Sequence, residues 1–309
     1  MKSLYKIILT SLFMLNQANA TNNTQKSMTD TAYFYDVGTL SNNFGSHTLN
    51  NFTGHTVLNA SATISIDAIE FDVTSTILYG IANNAAIGPR LLILNQNNGS
   101  IDSVVGPITN LLPNHSLSGL AIDSNGTCYI SSIGPSESTL YICDLATGML
   151  SIIGSQETAI EIIAIAASCE GTIYAHDTFT DGFYNLDTSN GSATLIGTHG
   201  LNAINSPQGM TYDREAGVLY SYIYSGAGNN VFATVNTSNG EITPLAVNNP
   251  TGQFIGAAKT SCFPAIPPQV VSINSYWMLL VMIILFLLFV YRNTSFIKEG
   301  KGLQKLKAL

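Results

Sequence analysis

The sequence contains little charge, and its positive charge is especially sparse. Charged residues make up 10% of its 309 residues, and the formal net charge is −8. Between Thr21 and Val270, four Lys or Arg residues stand against eighteen Asp or Glu residues. Binding to nucleic acid or to an anionic membrane surface needs clustered Lys or Arg. The sequence therefore predicts no nucleic-acid partner for this stretch.

Signatures of metal binding and catalysis are also missing. The four cysteines form no Cys-x-x-Cys pair, and the five histidines are scattered without ligand spacing, which argues against structural zinc. The chain has no D-x-[DN]-x-[DN]-G calcium loop, Walker loop, Gly-x-Ser-x-Gly or His-Glu-x-x-His. We therefore expect neither a metal nor another cofactor, and the sequence favours a binding protein over an enzyme.

No segment of the body keeps a helical period over three turns; one pattern instead occurs four times between residues 66 and 247. Each unit ends in a glycine that follows an Asp or Asn by four residues. The pairs are Asn95 and Gly99, Asp144 and Gly148, Asp187 and Gly191, and Asn236 and Gly240. The glycines are 49, 43 and 49 residues apart, a period typical of propeller blades of four short strands. We expect each Asp or Asn to brace a tight turn in which glycine supplies a positive φ.

The four units do not use up the body. Residues 252–258 resemble the start of a fifth unit, and Tyr33-Phe34-Tyr35-Asp36 resembles a strand within a unit. We therefore predict an all-β propeller of five blades over residues 32–263, in which both chain ends share the last blade. Closure would hide the edge strands of an open array. Six blades are the alternative if the N-terminal segment forms a blade of its own.

The two ends of the chain carry different signals. Residues 1–20 show the basic, apolar and small-residue order of a secretory signal peptide, and residues 21–31 are typical of a flexible leader. The apolar run 276–291 predicts a transmembrane helix, with Tyr276, Trp277, Tyr291 and Arg292 at its interfaces. Residues 292–309 form a basic tail, which is expected to stay in the cytoplasm. Together these signals predict an exported propeller, anchored to a membrane and lying outside the cytoplasm.

Two resemblances extend this prediction. Leu117-Ser-Gly-Leu-Ala-Ile-Asp123, followed by Leu140-Tyr-Ile-Cys-Asp144 and Ile152-Ile153-Gly154, resembles the repeat of secreted bacterial YVTN/NHL-type propellers. This resemblance implies the fold and says little about a ligand. Residues 264–275, which contain Val270-Val-Ser-Ile-Asn-Ser, are similar to an IPTL-type C-terminal sorting motif. That resemblance implies sorting or processing at the cell envelope, and it leaves open whether the helix is removed or retained.

Cysteines in an exported chain can form disulfides, because exported proteins fold under oxidising conditions. Cys128 and Cys143 fall on adjacent antiparallel strands of one predicted blade, where opposite positions could be bonded; the alternative is that they are small buried apolar residues. Cys169 and Cys262 follow the first strands of units that are two apart, which disfavours their pairing.

The carboxylates Asp67, Glu70 and Glu161 lie on or beside first strands, which line the channel of a propeller. If they faced one another, they could act as an acid/base pair of a glycan-active hydrolase or lyase. Our preferred hypothesis is a binding or adhesion module, with a protein or glycan ligand on the loops of one propeller face. A structural component of the envelope is a further alternative.

Overall fold

The computed structural model describes residues 31–37, 43–59, 65–83, 86–204, 206–248, 252–260, 262, 280, 282–288 and 290–291. The chain divides into two compact units, Met1–Cys262 and Phe263–Leu309. All strands described lie in the first unit, where they form five antiparallel sheets of four strands each.

The strands follow in chain order. The first three are β1 (Thr31–Asp36), β2 (Asn43–Thr48) and β3 (Asn51–Asn59). Blade 1 contains β4 (Ala68–Phe71), β5 (Leu78–Ala82), β6 (Arg90–Leu94) and β7 (Ile101–Pro107). Blade 2 contains β8 (Ser116–Ile122), β9 (Cys128–Ile133), β10 (Ser138–Cys143) and β11 (Leu150–Gln156). Blade 3 contains β12 (Ile162–Ala167), β13 (Ile173–Asp177), β14 (Gly182–Leu186) and β15 (Ala193–Thr198). Blade 4 contains β16 (Gly209–Asp213), β17 (Val218–Gly226), β18 (Asn229–Val235) and β19 (Ile242–Val247). Blade 5 joins β20 (Phe254–Ala258) to β1, β2 and β3.

The first strand of each blade lies innermost, and the five inner strands β4, β8, β12, β16 and β20 contact one another around a closed ring. Strand β12, with the sequence Ile-Ile-Ala-Ile-Ala-Ala, is buried along its whole length. A continuous apolar run of this kind is expected of a strand that is covered on both faces. The outer strand of the same blade, β15, is exposed or half-buried throughout.

The prediction of five blades, with both ends of the propeller body in the last one, is confirmed. Strand β20 pairs with β1 in antiparallel register, from Ala32 opposite Ala258 to Asp36 opposite Phe254. The N-terminal segment supplies the other three strands of this blade rather than a sixth blade. The closing blade packs on blade 4 through an aromatic cluster: Phe34, Phe52, Tyr220, Tyr222, Phe232 and Phe254.

The repeated turns are braced as the sequence predicts. The carboxylate of Asp144 accepts a hydrogen bond from the amide of Ala146 at 2.8 Å, and the amide of Gly148 donates to the Asp144 carbonyl at 2.8 Å. Gly148 has a φ of +78°. The same pair of bonds forms in the other three repeated turns, at Asn95, Asp187 and Asn236.

The turn glycines have a second role, which the repeat did not reveal. A methyl group at Gly191 would lie 2.6 Å from the carbonyl of Gly154, on the outer strand of the preceding blade. Gly240 meets Gly197 in the same way, and Gly148 lies against Gly106 and Pro107. The blades therefore approach one another backbone to backbone at these points.

The structure corrects the predicted disulfide. Cys128 lies opposite Cys143 in the register of β9 and β10, but both are free, buried thiols. Cys169 is bonded instead to Cys262, with 5.5 Å between their Cα atoms. These two cysteines follow inner strands, and inner strands converge on the axis of a five-blade ring. Blades two apart can therefore meet there, although their outer strands are remote.

The predicted transmembrane helix is not confirmed. The described residues of the second unit, 280, 282–288 and 290–291, are helical and exposed. Within the described part of the chain, no helix combines the length and the apolar character needed to cross a membrane. Tyr276, Trp277 and Arg292 lie outside the described residues, as do the predicted signal peptide, residues 21–30, the sorting motif and the basic tail.

Candidate functional site

The ring has two different faces, because every inner strand runs in the same direction along the axis. We call the face where the inner strands end the lower face, and the face where they begin the upper face. Hairpins between first and second strands lie on the lower face. Hairpins between second and third strands, and the connections that lead into the next inner strand, lie on the upper face.

The repeated residues of the inner hairpins belong to the lower face. Oδ1 of Asp123 accepts hydrogen bonds from the amides of Asn125 and Thr127, each at 2.9 Å. Asp72, Ser168 and Asp213 occupy the equivalent hairpins and accept amide hydrogen bonds in the same manner. Since these side chains stabilise turns, the repeated residues contribute to the fold of the propeller and not to a binding site. Residues that differ between blades are found mainly in the connections of the upper face.

Arg214 closes the lower end of the channel. It directly follows β16, and its guanidinium donates to the carbonyl of Ile122 at 2.5 Å and to that of Asp72 at 3.5 Å. Its amide donates to Oγ1 of Thr260 at 2.9 Å. The nearby Sγ of Cys169 contacts the Arg214 carbonyl at 3.3 Å. One buried side chain thus joins the ends of several inner strands, beside the disulfide.

Glu70 is part of this closure. Its Oε1 lies 3.6 Å from a guanidinium nitrogen of Arg214, and both side chains are almost fully buried. Burial raises the pKa of Glu70 to about 7, although the Arg214 charge and a hydrogen bond from the Phe71 amide lower it. The structure therefore pairs Glu70 with a cation and not with a second carboxylate.

The axis between the inner strands is nearly filled. Equivalent positions of the five strands carry small or aliphatic residues: Ala68, Gly119, Ala164, Gly209 and Ile255. A methyl group at Gly119 would lie 2.8 Å from the amide nitrogen of Ile165, so a larger residue would force these strands apart. A cavity lined by these residues has a volume of about 10 Å³, which is space for about one water molecule. A sugar does not fit into this cavity.

Asp67 and Glu161 lie on the upper face, just before their inner strands. Asp67 accepts a hydrogen bond from the amide of Asn83 at 2.5 Å, and burial raises its pKa to about 6. Oε2 of Glu161 accepts one from Oγ1 of Thr178 at 3.1 Å. Glu70 thus lies near the lower end beside Arg214, whereas Asp67 and Glu161 lie just before the upper ends of their inner strands.

Amide side chains join the connections of the upper face. Oε1 of Gln208 accepts from the amide of Tyr224 at 2.7 Å, and its Nε2 donates to the carbonyl of Ile204 at 2.7 Å. Nε2 of Gln253 donates to Oγ of Ser206 at 2.6 Å. The surface between blades 3, 4 and 5 is therefore held in place by hydrogen bonds.

An apolar strip crosses from blade 3 to blade 4 on this face. Phe179, in the hairpin between β13 and β14, is 66% exposed, and Ile204, in the connection to β16, is 41% exposed. The Asp181 carboxylate accepts hydrogen bonds from the amides of Asn202 at 2.9 Å and Ala203 at 2.6 Å. It thereby fixes the hairpin that carries Phe179 to the segment that carries Ile204. We call Phe179, Asp181, Asn202, Ala203 and Ile204 the Phe179 strip.

Two histidines lie beneath the Phe179 strip. Nδ1 of His199 accepts from the amide of Leu201 at 3.2 Å, so its proton lies on Nε2 and is donated to Nε2 of His176 at 2.9 Å. The proton of His176 is then on Nδ1, which has no partner among the described residues. Burial lowers the pKa of both rings, and Asp181 partly offsets this for His199. The pair is therefore neutral and holds residues 199–201 in place.

Sequence reasoning missed most of this surface. No sequence pattern connects residues 176–182 to residues 199–204. Phe179 and Ile204 were the available signal, because large apolar residues in otherwise polar connections are expected to be exposed.

Comparisons with known proteins agree with the fold. Residues 21–262 match the sequence profile of a family described as a repeat of unknown function (DUF6923). No curated protein matches the chain. A structure of a protein of unknown function from Bacteroides thetaiotaomicron VPI-5482 is similar, with 12% identity and a TM-score of 0.50, over 75% of this chain and 62% of that one.

Two further structures are similar at comparable levels. One is of a nidogen/laminin complex, with 11% identity and a TM-score of 0.46, over 74% of this chain and 99% of that one. The other is of a luciferin-regenerating enzyme, with 17% identity and a TM-score of 0.45, over 71% of this chain and 72% of that one. At TM-scores below 0.5, these two similarities carry no conclusion about this chain.

Proposed function

The chain belongs to the family of repeats of unknown function (DUF6923), and we propose that it is an exported binding module whose ligand contacts the upper face. The observation that carries this proposal is the difference between the two faces. The lower face contains the repeated turns, the buried Arg214 and the disulfide, whereas the upper face contains the connections that differ between blades. Loops held on a rigid scaffold are the usual place for ligand contacts.

The disulfide supports the exported location. Disulfides form and persist in oxidising compartments, and Cys169 is bonded to Cys262. The signal-like order of residues 1–20 points in the same direction. Membrane attachment through residues 276–291 stays a prediction from the sequence.

The filled axis favours binding over catalysis within the channel. Glu70 is buried against Arg214, and the cavity of about 10 Å³ beside it is lined by Ala68, Ile69 and Leu120, among others. Contacts with a ligand are therefore to be sought on the outer surface of the ring.

An array of glycans and extracellular proteins, probed with the purified full chain, tests the proposal. We expect a ligand whose binding is weakened about tenfold by Phe179→Ser combined with Ile204→Ser, because exposed apolar residues contribute strongly to interfaces. Met149→Ser removes an apolar side chain that is 48% exposed in a repeated turn, and it should leave binding unchanged. The absence of any ligand, or an equal loss in the Met149 variant, would contradict the proposal.

A further inference from the structure

We infer that the Phe179 strip binds a segment of a partner protein that carries Lys or Arg beside apolar side chains. This inference rests on the proposed function and specifies the chemistry of its ligand. It follows from three features of the described residues: exposed apolar side chains, a fixed backbone and an excess of negative charge.

The apolar side chains are unusually exposed for a fixed surface. Phe179 lies in the hairpin between β13 and β14, and Ile204 lies in the segment that Asp181 of this hairpin binds through the amides of Asn202 and Ala203. Cδ1 of Ile204 approaches the Gly226 position in the hairpin between β17 and β18, where an added methyl group would lie 3.6 Å away. Aromatic residues at such positions are frequent anchors of protein interfaces.

The backbone beneath these side chains is fixed before any partner arrives. Asp181 holds the amides of Asn202 and Ala203, and the amide of Ile204 donates to the carbonyl of Tyr224 at 3.1 Å. A surface that is already ordered loses little conformational entropy when it binds.

The charge around the strip is negative. Glu157 and Glu161 lie in the connection between β11 and β12, where the Glu161 carbonyl accepts a hydrogen bond at 3.1 Å from the amide of Thr178, next to Phe179; Asp181 lies in the same hairpin as Phe179. In the upper-face connections that the structure describes, the basic residue is Arg90, which belongs to blade 1. Its guanidinium donates to the carbonyl of Pro89 at 3.0 Å. In the described upper-face connections of blades 3 and 4, a cationic partner would therefore meet no Lys or Arg side chain.

Phe179 and the neighbouring carboxylates of Glu157, Glu161 and Asp181 can bind the same kind of partner, a basic protein segment. The face of an aromatic ring attracts Lys and Arg cations, and carboxylates near the rim accelerate the approach of a basic segment. The apolar part of the strip needs side chains such as Leu or Phe, which a neutral or acidic glycan does not provide. A protein segment satisfies both requirements at once.

Fluorescence anisotropy with labelled peptides tests this inference on the purified full chain. The probe is a linear peptide in which Lys and Leu are spaced by Gly and Ser. One matched peptide has Glu in place of each Lys, and a second has Ser in place of each Leu. We expect the first peptide to bind and both matched peptides to bind at least about tenfold more weakly. Binding should weaken as the salt concentration rises.

Matched variants locate the site. Phe179→Ser should weaken binding about tenfold, whereas Val104→Ser, which removes a side chain 55% exposed on the outer strand of blade 1, should not. Glu157→Gln should weaken binding by about two- to fivefold, as expected for an exposed charge. Glu241→Gln makes the same change of charge in a repeated turn far along the chain and should leave binding unchanged.

Several results would overturn the inference. They are no binding of the Lys and Leu peptide, equal binding of the Glu peptide, or equal losses at Glu157 and Glu241. If the array identifies an upper-face ligand that is a glycan or an acidic protein, the proposed function stands and this inference fails. If no ligand is found by either method, both fail.

Discussion

At the scale of single residues, Glu70 and Arg214 show how burial changes the role of a charged side chain. In sequence, Glu70 is a carboxylate on a channel strand and therefore a candidate catalyst. In the structure it lies 3.6 Å from the Arg214 guanidinium, and the ends of several inner strands surround the pair. The Glu70 carboxylate therefore helps to hold the inner strands together. A ligand would contact the exposed residues of the upper face instead.

The raised pKa of Glu70 gives a prediction about stability. Its pKa rises from about 4.5 to about 7 on folding, because burial disfavours the charged form. Between these values the folded chain holds a proton that the unfolded chain has lost, so the contribution of Glu70 to stability falls as the pH rises. We therefore compare the native chain with Glu70→Gln, which cannot titrate at this position. As the pH rises from 4.5 to 7, the unfolding free energy of the native chain should fall by about 3 kcal/mol relative to that of the variant.

Denaturant titrations at several pH values measure this difference. Taking a difference between variants removes the contributions of the other titratable groups. Glu241→Gln, which removes an exposed carboxylate, is the control for the substitution of Glu by Gln. A constant difference for Glu70→Gln would show that Arg214 keeps the carboxylate ionised on folding.

At the scale of elements, the turn between the third and fourth strands joins neighbouring blades. The sequence predicted its Asp or Asn brace and its glycine, and both are confirmed. It did not predict that Gly191 lies against Gly154 of the preceding blade. Such contacts depend on how far adjacent sheets are apart, and local sequence carries no direct sign of that distance.

Two glycine substitutions distinguish the energetic cost of a side chain at a left-handed backbone position from the cost of a clash between neighbouring blades. Gly191 has a φ of +80° and meets the backbone of Gly154, whereas Gly171 has a φ of +85° and no atom within 4 Å of an added methyl group. We expect Gly171→Ala to cost about 1 kcal/mol of unfolding free energy, from the left-handed backbone alone. Gly191→Ala should cost about 2–4 kcal/mol, because the blades must also move apart.

Thermal or denaturant unfolding of the two variants provides the measurement. Equal losses would mean that the contact between the blades contributes nothing beyond the turn conformation.

At the scale of the whole molecule, closure depends on contacts between distant parts of the chain. Strand β1 pairs with β20, and Cys262 connects the end of the body to Cys169 in blade 3. The disulfide spans a sequence separation of 93 residues. A cross-link of that length restricts the unfolded chain strongly, by about 4–5 kcal/mol in the chain-entropy model.

We therefore expect reduction to lower the unfolding free energy by about 2–5 kcal/mol. Cys169→Ala combined with Cys262→Ala should produce the same loss and remove the sensitivity to reductant. Cys128→Ala should retain that sensitivity, because Cys128 is a free thiol. Unchanged stability after reduction would show that the bond does not secure closure.

Thiol labelling of the protein from its native location tests export at the same time. In denaturant without reductant, Cys128 and Cys143 should react, and after reduction Cys169 and Cys262 should react as well. Labelling of all the cysteines without reductant would contradict both the disulfide and the oxidising location.

The sequence by itself determined the class of fold and the braced turns, because these depend on short-range patterns that recur in every unit; it favoured five blades over six, and the structure settled that number. It also indicated that residues 252–258 complete the blade begun at the N-terminus. Only the tertiary structure decided that Cys169 meets Cys262, that Glu70 meets Arg214, and that Phe179 and Ile204 share one surface. Each of these pairs is brought together by the convergence of inner strands or by a connection between blades. Residues far apart in sequence become neighbours there because the ring closes, and no local pattern records that.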